Sequence, residues 1–265
     1  MKKRSMTERF SKQIIELQSS RNNIENYSFN FLNNIFRHSA LMHKIIKINR
    51  ESNLIEVATS QYLISLVSCW ETFFRDTFVF IVSKDANFRK EIIELIGVKQ
   101  EIVENLEHDN FIADFLSKSF NFQNFEDIES AFSPIFKKEM FKKIGNYKFF
   151  HLGLNARIAT NFCYEEIFPN YIETIKQVYE ERHKITHDAN YRSNLGIDLI
   201  QKAEALFVVF PQLFTVWMSD KMHLPLTTNE NEVQGSVKQN EFIVPYIFTI
   251  NEILSTDWVV VPETD

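Results

Sequence analysis

The side chains best suited to chemistry in this chain stand together in one short segment. Residues 180–191, EERHKITHDANY, contain Arg182, His183 and His187. A histidine titrates near neutral pH, so it can take up or release a proton during a reaction. An arginine stays charged and can hold a phosphate through two parallel hydrogen bonds, which stabilises negative charge as it develops. These residue types together favour cleavage of a phosphodiester bond.

The spacing of these residues leaves three interpretations open. His183 and His187 share one face of a helix, as two zinc ligands would, although Glu180 and Asp188 are poorly placed as a third ligand. Arg182 and His187 lie about 140° apart on an ideal helix, so a site built on them needs a distorted helix end, a neighbouring helix or a second subunit. The third interpretation is a solvated helix end, whose cations complement the helix dipole.

The helix that carries this segment is predicted to begin near Pro169, because proline suits a first helical turn. Its apolar residues recur at helical spacing at Tyr171, Ile175, Val178 and Ile185. Arg182 falls on the same apolar series, which predicts that it points toward neighbouring helices. The helix is expected to end between residues 188 and 194. A further helix over 197–221 contains Pro211, which predicts a kink.

Residues 52–84 give the strongest helical pattern, and they are apolar on almost every side. Such a helix is central and buried. Its only charges between residues 63 and 82 are Glu71, Arg75 and Asp76. Glu71 and Arg75 are four residues apart and could form a simple ion pair within the helix. Because a buried charge needs a partner, Glu71 could instead orient Arg182 or His187 from a facing helix.

The rest of the chain divides into a helical domain at residues 1–222 and an appendage at 223–265. Further helices are predicted at 7–20, 24–48, 110–120, 134–143 and 152–166. In the appendage, a polar stretch is followed by segments rich in β-branched and aromatic residues, which predict a small hairpin or an extended tail. The chain has 26 Phe but 5 Gly and 6 Pro. So few turn-forming residues favour an all-α fold and leave no glycine-rich phosphate loop.

The net charge of −6 excludes a broad basic surface for nucleic acid, so any such surface must be local. The most basic window, residues 136–150, places Lys137, Lys138, Lys142 and Lys143 among aromatic residues. Lysines interleaved with aromatics can hold phosphates and stack on bases. The alternative is an amphipathic helix that turns its apolar side inward. Both interpretations leave lysines exposed, where they would attract RNA.

No secretory signal is visible, and the longest apolar runs are shorter than the roughly 20 residues of a membrane span. The two cysteines, Cys69 and Cys163, are far apart in apolar surroundings. We therefore expect free buried thiols. These features predict a cytoplasmic protein that has no membrane partner.

The segment from Arg182 to His187 resembles the Arg-x(4–6)-His signature of the HEPN superfamily, in which a polar residue such as His183 commonly follows the arginine. The apolar helix around residues 68–76, SCWETFFRD, is similar to the early HEPN helix that carries one acidic residue, and Glu71 matches that position. A long apolar helix follows the signature, as in the family. One HEPN subgroup has a modified tyrosine two residues after the histidine, where this chain has Ala189.

The resemblance implies a helical bundle of HEPN type with extra inserted helices. It implies a homodimeric, metal-independent endoribonuclease without a cofactor, acting in toxin–antitoxin or antiviral defence systems, with an antitoxin or other defence protein as a further partner. His187 would act as general acid or base in attack by the RNA 2′-hydroxyl, and Arg182 would stabilise the transition state. His183 would share proton transfer or bind phosphate, Glu71 would orient the cations, and Lys184 would bind RNA.

Two other functions remain open from the residues alone. The first is a non-catalytic helical module that binds a protein or nucleic acid, which the acidic net charge favours. The second is a metal-dependent hydrolase that uses His183 and His187 as ligands.

Overall fold

The computed structural model of the chain describes residues 24–48, 52–99, 109–152, 159–188, 190–193 and 196–222. The predicted helix at 7–20 and the predicted appendage at 223–265 lie outside them. The elements, in chain order, are α1 (Ile24–Ile48), α2 (Ser52–Lys84), α3 (Ala86–Ile96), α4 (Asp109–Ser117), α5 (Phe125–Ala131), α6 (Ser133–Phe136), α7 (Met140–Gly145), β1 (Lys148–Leu152), β2 (Ala159–Cys163), α8 (Tyr164–Ile167), α9 (Tyr171–His187) and α10 (Ile197–Met222).

Helix α2 occupies the centre of the bundle, because apolar side chains cover almost all of its sides. It contacts α1, α3, α4, α9 and α10. Trp70, Phe73, Phe74 and Phe78 are each at most 1% exposed. The Trp70 ring stacks on Phe207 of α10, with the ring centroids 4.0 Å apart. Large buried aromatics such as these contribute much of the apolar burial in a core. The predicted all-α fold and the predicted helices at 24–48 and 52–84 are confirmed.

Helix α10 continues through Pro211 because other groups replace the missing hydrogen bond. Proline has no N–H to donate to the carbonyl four residues earlier, which belongs to Phe207. The indole Nε1 of Trp70 donates to that carbonyl at 2.7 Å. The side-chain amide of Gln212 donates to the carbonyl of Val208 at 2.8 Å. The central helix and the proline helix are therefore joined by a polar contact as well as by stacking.

One part of α10, Leu199–Ser219, is long and apolar enough to cross a membrane, with a mean hydropathy of 1.3. The longest apolar runs in the sequence were expected to be shorter than a membrane span, and one of them contains Pro211. In the structure 72% of the window is buried inside the protein. The core helix of a bundle has the same length and composition, and α10 serves as such a helix here.

The prediction of one continuous helix at 134–143 is wrong, because the chain turns in the middle of this segment. Lys137 and Lys138 have positive φ angles of 52° and 60°, which separate α6 from α7. The turn places α7 where the carboxylate of Glu129 accepts hydrogen bonds from the backbone N–H groups of Met140 at 2.6 Å and Phe141 at 3.0 Å. Glu129 therefore caps the start of α7 from α5, and the apolar residues of both short helices reach the core.

The prediction of a helix at 152–166 is also wrong. Residues 159–163 form β2, which pairs antiparallel with β1 so that Lys148 lies opposite Cys163 and Leu152 opposite Ala159. Only Tyr164–Ile167 of the predicted segment is helical. Pairing with a separate strand satisfies the backbone groups that a helix would have satisfied locally.

Cys69 and Cys163 are buried free thiols, as expected.

Candidate active site

Helix α9 carries the Arg182–His187 segment and is anchored in the core by its first half. Tyr171, Ile175 and Val178 are buried, and the Tyr171 hydroxyl donates to the carbonyl of Phe141 at 2.8 Å. Pro169 lies just outside the helix, because Asn170 has a left-handed φ of 61° and α9 begins at Tyr171. The helix ends at His187, one residue before the expected region. The residues of its last turns are therefore held on a well-packed support.

An open cleft of about 600 Å³ lies between the second half of α9 and the segment 121–126 that leads into α5. The α9 wall is formed by Lys176, Tyr179, Glu180, Arg182, His183, Lys184 and His187. The structure thus brings three of the predicted catalytic residues, Arg182, His183 and His187, to one cleft within a single chain. The angle of about 140° between Arg182 and His187 is spanned because the cleft covers a wide arc of the helix surface.

His183 and His187 form a pair on the exposed side of this cleft. Their ring centroids lie 4.4 Å apart. Both rings are exposed to solvent, so either can exchange a proton with water or substrate. Within the described residues, no group of three or more His, Cys, Asp or Glu side chains is gathered to hold a metal ion. The described part of the site therefore offers two of the three protein ligands that a catalytic zinc usually has.

Arg182 lies on the inner side of the cleft and is half-buried. Its Nε is buried and has no hydrogen-bond partner among the described residues. The inward direction that the apolar series predicted for Arg182 is therefore confirmed by its burial. The Nε–H of this guanidinium is therefore a donor that the described residues leave unused, and a ligand can accept its hydrogen bond.

Tyr179, one turn before Arg182, was not identified from the sequence. It lines the cleft, it is 7% exposed, and its buried hydroxyl has no partner within the described chain. Burial raises the pKa of Tyr179 well above its usual range, the charge of Glu71 raises it further, and Arg182 lowers it. The hydroxyl therefore stays protonated and lies within electrostatic range of both charged groups. Its only signal in the sequence was an ordinary aromatic within a helical pattern.

Glu71 lies behind the cleft on α2 and is already bonded to other residues. Its carboxylate accepts hydrogen bonds from Arg75 on the same helix and from the amide of Gln123 on the opposite wall. The ion pair within the helix is therefore present, and Glu71 also ties α2 to the cleft segment. Its bonds go to Arg75 and Gln123 and not to Arg182 or His187. Any influence of Glu71 on the catalytic candidates acts through its charge.

A family model described as RiboL-PSP-HEPN matches residues 32–214 of the chain. The match runs from α1 into α10 and includes Glu71, Tyr179 and the segment from Arg182 to His187. The chain belongs to the RiboL-PSP-HEPN family. Membership confirms the HEPN resemblance and the helical fold, and it indicates an RNA-related or nuclease function. Neither a curated protein nor a solved structure matches the chain significantly.

Beyond the motif, this RiboL-PSP-HEPN chain folds back over the end of α9. The buried carboxylate of Glu181 accepts hydrogen bonds from Lys184 Nζ at 3.1 Å and from the Tyr191 hydroxyl at 2.6 Å. These hydrogen bonds raise the pKa of both Lys184 and Tyr191. Arg192 Nη1 reaches Glu56 of α2 at 3.9 Å. The loop after the motif is thereby fastened to the helix end that presents His187.

The predicted RNA-binding lysines of this RiboL-PSP-HEPN chain separate into two groups. Lys184 lines the cleft, although Glu181 partly neutralises it. Lys137 and Lys138 are exposed in the turn after α6, while Lys142 and Lys143 are exposed on α7. Among the described residues that line the cleft, none comes from this basic window.

Another lysine, Lys176, closes one end of the cleft and was missed from the sequence. Its Nζ lies 3.3 Å from a carboxylate oxygen of Glu126 and 4.7 Å from the ring centroid of Phe125. Both partners belong to the opposite wall. Lys176 therefore connects the two walls of the cleft at the end away from His187.

Proposed function

We propose that this RiboL-PSP-HEPN protein is a metal-independent endoribonuclease and that the α9 cleft is its active site. The observation that carries the proposal is the joint presence of Arg182, His183 and His187 on the wall of one open cleft. Two bases and a permanent cation are the groups that phosphodiester transfer requires. The family supplies the expectation that the substrate is RNA.

In the proposed reaction the 2′-oxygen of RNA attacks the adjacent phosphorus and the bond from phosphorus to the 5′-oxygen breaks. His187 accepts the proton of the 2′-hydroxyl or donates one to the leaving 5′-oxygen, and His183 performs the other transfer. Arg182 stabilises the negative charge on the five-coordinate phosphorus. The products are a 2′,3′-cyclic phosphate and a 5′-hydroxyl. The separation of 4.4 Å between the ring centroids supports a shared role for the histidines.

The broader setting follows the family. HEPN proteins are often dimeric, and we propose a homodimer in which two copies of the motif face each other across a two-fold axis. The proposed setting is a toxin–antitoxin or antiviral defence system, with an antitoxin or another defence protein as partner, in the cytoplasm. Lys184 and the lysines at 137–138 and 142–143 are proposed to attract RNA through its phosphates.

The test is RNA cleavage by the purified protein in excess chelator. We expect cleavage to survive chelation, to leave cyclic-phosphate ends, and to fall at least about a hundredfold in Arg182→Ala and in His187→Ala. Lys90→Ala is a matched control, because Lys90 is an exposed cation on α3 whose nearest acidic partner is Glu94 at 4.0 Å. Cleavage that stops with chelator would favour the metal-dependent hydrolase. RNA binding without cleavage, by all variants and in the presence of cell extract, would favour the non-catalytic module.

A further inference from the structure

Two buried polar atoms of the cleft wall have no hydrogen-bond partner within the described chain. They are the hydroxyl oxygen of Tyr179 and Nε of Arg182. Polar side-chain atoms that lose contact with water nearly always gain a partner, because an unpaired buried donor destabilises the fold. The cleft therefore holds two unpaired groups one helical turn apart.

The chemistry of these two groups defines the ligand that would satisfy them. Arginine Nε is only a donor, and a tyrosine that keeps its proton is a donor as well. The positive charge of Arg182 acts on the Tyr179 hydroxyl, so the two groups lie in the same electrostatic environment. Two donors, one of which belongs to a positively charged guanidinium, match a group with several acceptor oxygens and a negative charge. A phosphate has those properties, and a neutral base edge does not.

We propose that the Tyr179 hydroxyl and the Arg182 Nε–H each donate a hydrogen bond to the scissile phosphate of RNA, which makes Tyr179 a substrate-contacting residue. The assignment rests on the proposed function and adds to it the group that holds the phosphate from the core side. The Arg182 side chain is only partly buried. The proposal requires this side chain to rotate when RNA binds, so that Nε and the Tyr179 hydroxyl reach the phosphate. The exposed rings of His183 and His187 then face the 2′- and 5′-oxygens from the solvent side.

The test uses Tyr179→Phe, which removes one oxygen and leaves the ring in its place near Phe207. Binding is measured by fluorescence anisotropy with a mixed-sequence RNA whose 2′-hydroxyls are replaced by fluorine, so that it cannot be cleaved. We expect the affinity and kcat/KM for cleavable RNA to fall about tenfold or more, because a hydrogen bond to a charged group is lost. The melting temperature should stay the same or rise, because an unpaired buried hydroxyl is removed.

Tyr171→Phe is the matched control on the same helix. The Tyr171 hydroxyl is already bonded to the carbonyl of Phe141 at 2.8 Å. Its removal should lower the melting temperature and leave the affinity for the fluorinated RNA unchanged. The two substitutions are chemically identical, so opposite results would separate a ligand-binding hydroxyl from a structural one.

The outcomes distinguish this proposal from the proposed function. If wild type binds the fluorinated RNA but cleaves no RNA, and Tyr179→Phe binds it more weakly, the phosphate contact stands and the cleavage chemistry fails. If wild type cleaves and Tyr179→Phe matches it in affinity and rate, the phosphate contact is overturned and the ribonuclease stands. A fall in melting temperature for Tyr179→Phe would also overturn it. Stabilisation of wild type by inorganic phosphate, without any affinity for the RNA, would overturn the assignment to RNA.

Discussion

The α9 cleft and a second polar region of the bundle contain similar side chains in opposite states. We refer to the second region as the Glu204 cluster, formed by Ser39, His43, Tyr62 and Glu204. The carboxylate of Glu204, 3% exposed, accepts hydrogen bonds from the Tyr62 hydroxyl and from His43 Nε2 at 2.8 Å. Ser39 Oγ lies 2.6 Å from the same Tyr62 hydroxyl. The cluster joins α1, α2 and α10.

The difference between the two regions lies in which groups are paired. In the Glu204 cluster every polar group just named has a partner inside the protein, whereas in the cleft Tyr179 and Arg182 each keep a buried atom unpaired. Burial raises the pKa of Tyr62 and of Tyr179, so both hydroxyls remain donors. A paired network contributes to stability, and unpaired donors are available for a ligand. Satisfaction of hydrogen bonds, more than residue type, distinguishes the two regions.

The largest expected effect is on the rate of RNA cleavage, and it should separate His187→Ala from His43→Ala. The first removes an exposed cleft histidine and should lower the cleavage rate at least about a hundredfold, with less than about 0.5 kcal/mol change in the free energy of unfolding. The second removes a partner of Glu204 and should destabilise the fold by about 1–3 kcal/mol without affecting cleavage at a permissive temperature. Urea denaturation and an RNA cleavage assay measure both. Loss of cleavage in His43→Ala would connect the cluster to the site and remove the contrast.

The next effect is on stability alone and concerns Glu204→Ala. Its carboxylate is shared by Tyr62 and His43, so its removal takes an acceptor from the buried Tyr62 hydroxyl and from the partly exposed His43 ring. We expect the free energy of unfolding to fall by about 3–5 kcal/mol, because two hydrogen bonds to one buried carboxylate are lost together. Glu204→Gln should lose less, because one acceptor oxygen remains. A change below about 1 kcal/mol for Glu204→Ala would show that water already pairs these donors.

The sequence was sufficient for the long helices, because their apolar residues recur over many turns. The prediction for α2 agrees with the structure at both ends, and α10 differs by one residue at its C-terminal end. The two errors have a common physical origin. The turn at Lys137 and Lys138 depends on Glu129 capping the next helix, and β2 depends on pairing with β1. Neither partner is visible within a local window of sequence.

The candidate site shows the same limit. Arg182, His183 and His187 were identified because their residue types and close spacing have chemical meaning. Tyr179 and Gln123 were missed because a tyrosine and a glutamine have no chemical signature by themselves. Gln123 lies 52 residues from Glu71, to which it donates, and only the fold brings them together. Of the two interpretations left open for Glu71, the ion pair with Arg75 is present in the structure, and neither interpretation anticipated Gln123.

A smaller effect on stability is expected at the contact between α2 and α10. Trp70→Phe removes the donor that replaces the missing N–H of Pro211, so the Phe207 carbonyl loses its partner. We expect a loss of about 2–4 kcal/mol from that carbonyl and from the smaller ring. In a Pro211→Ala background the helix regains its own donor to Phe207, so the cost of Trp70→Phe should shrink. Equal costs in both backgrounds, measured by denaturation as a double-mutant cycle, would contradict this role for Trp70.

The smallest effect is the most direct comparison, because one substitution is made in both regions. Tyr62→Phe leaves Ser39 without its partner and Glu204 with one donor fewer, so the free energy of unfolding should fall by about 1–2 kcal/mol. Tyr179→Phe removes a hydroxyl that has no partner, so the free energy of unfolding should stay constant or rise slightly. Both values come from urea denaturation of otherwise identical proteins. Equal losses would mean that the Tyr179 hydroxyl is already paired by water in the free protein, and the proposed contact between this hydroxyl and the scissile phosphate would then be overturned.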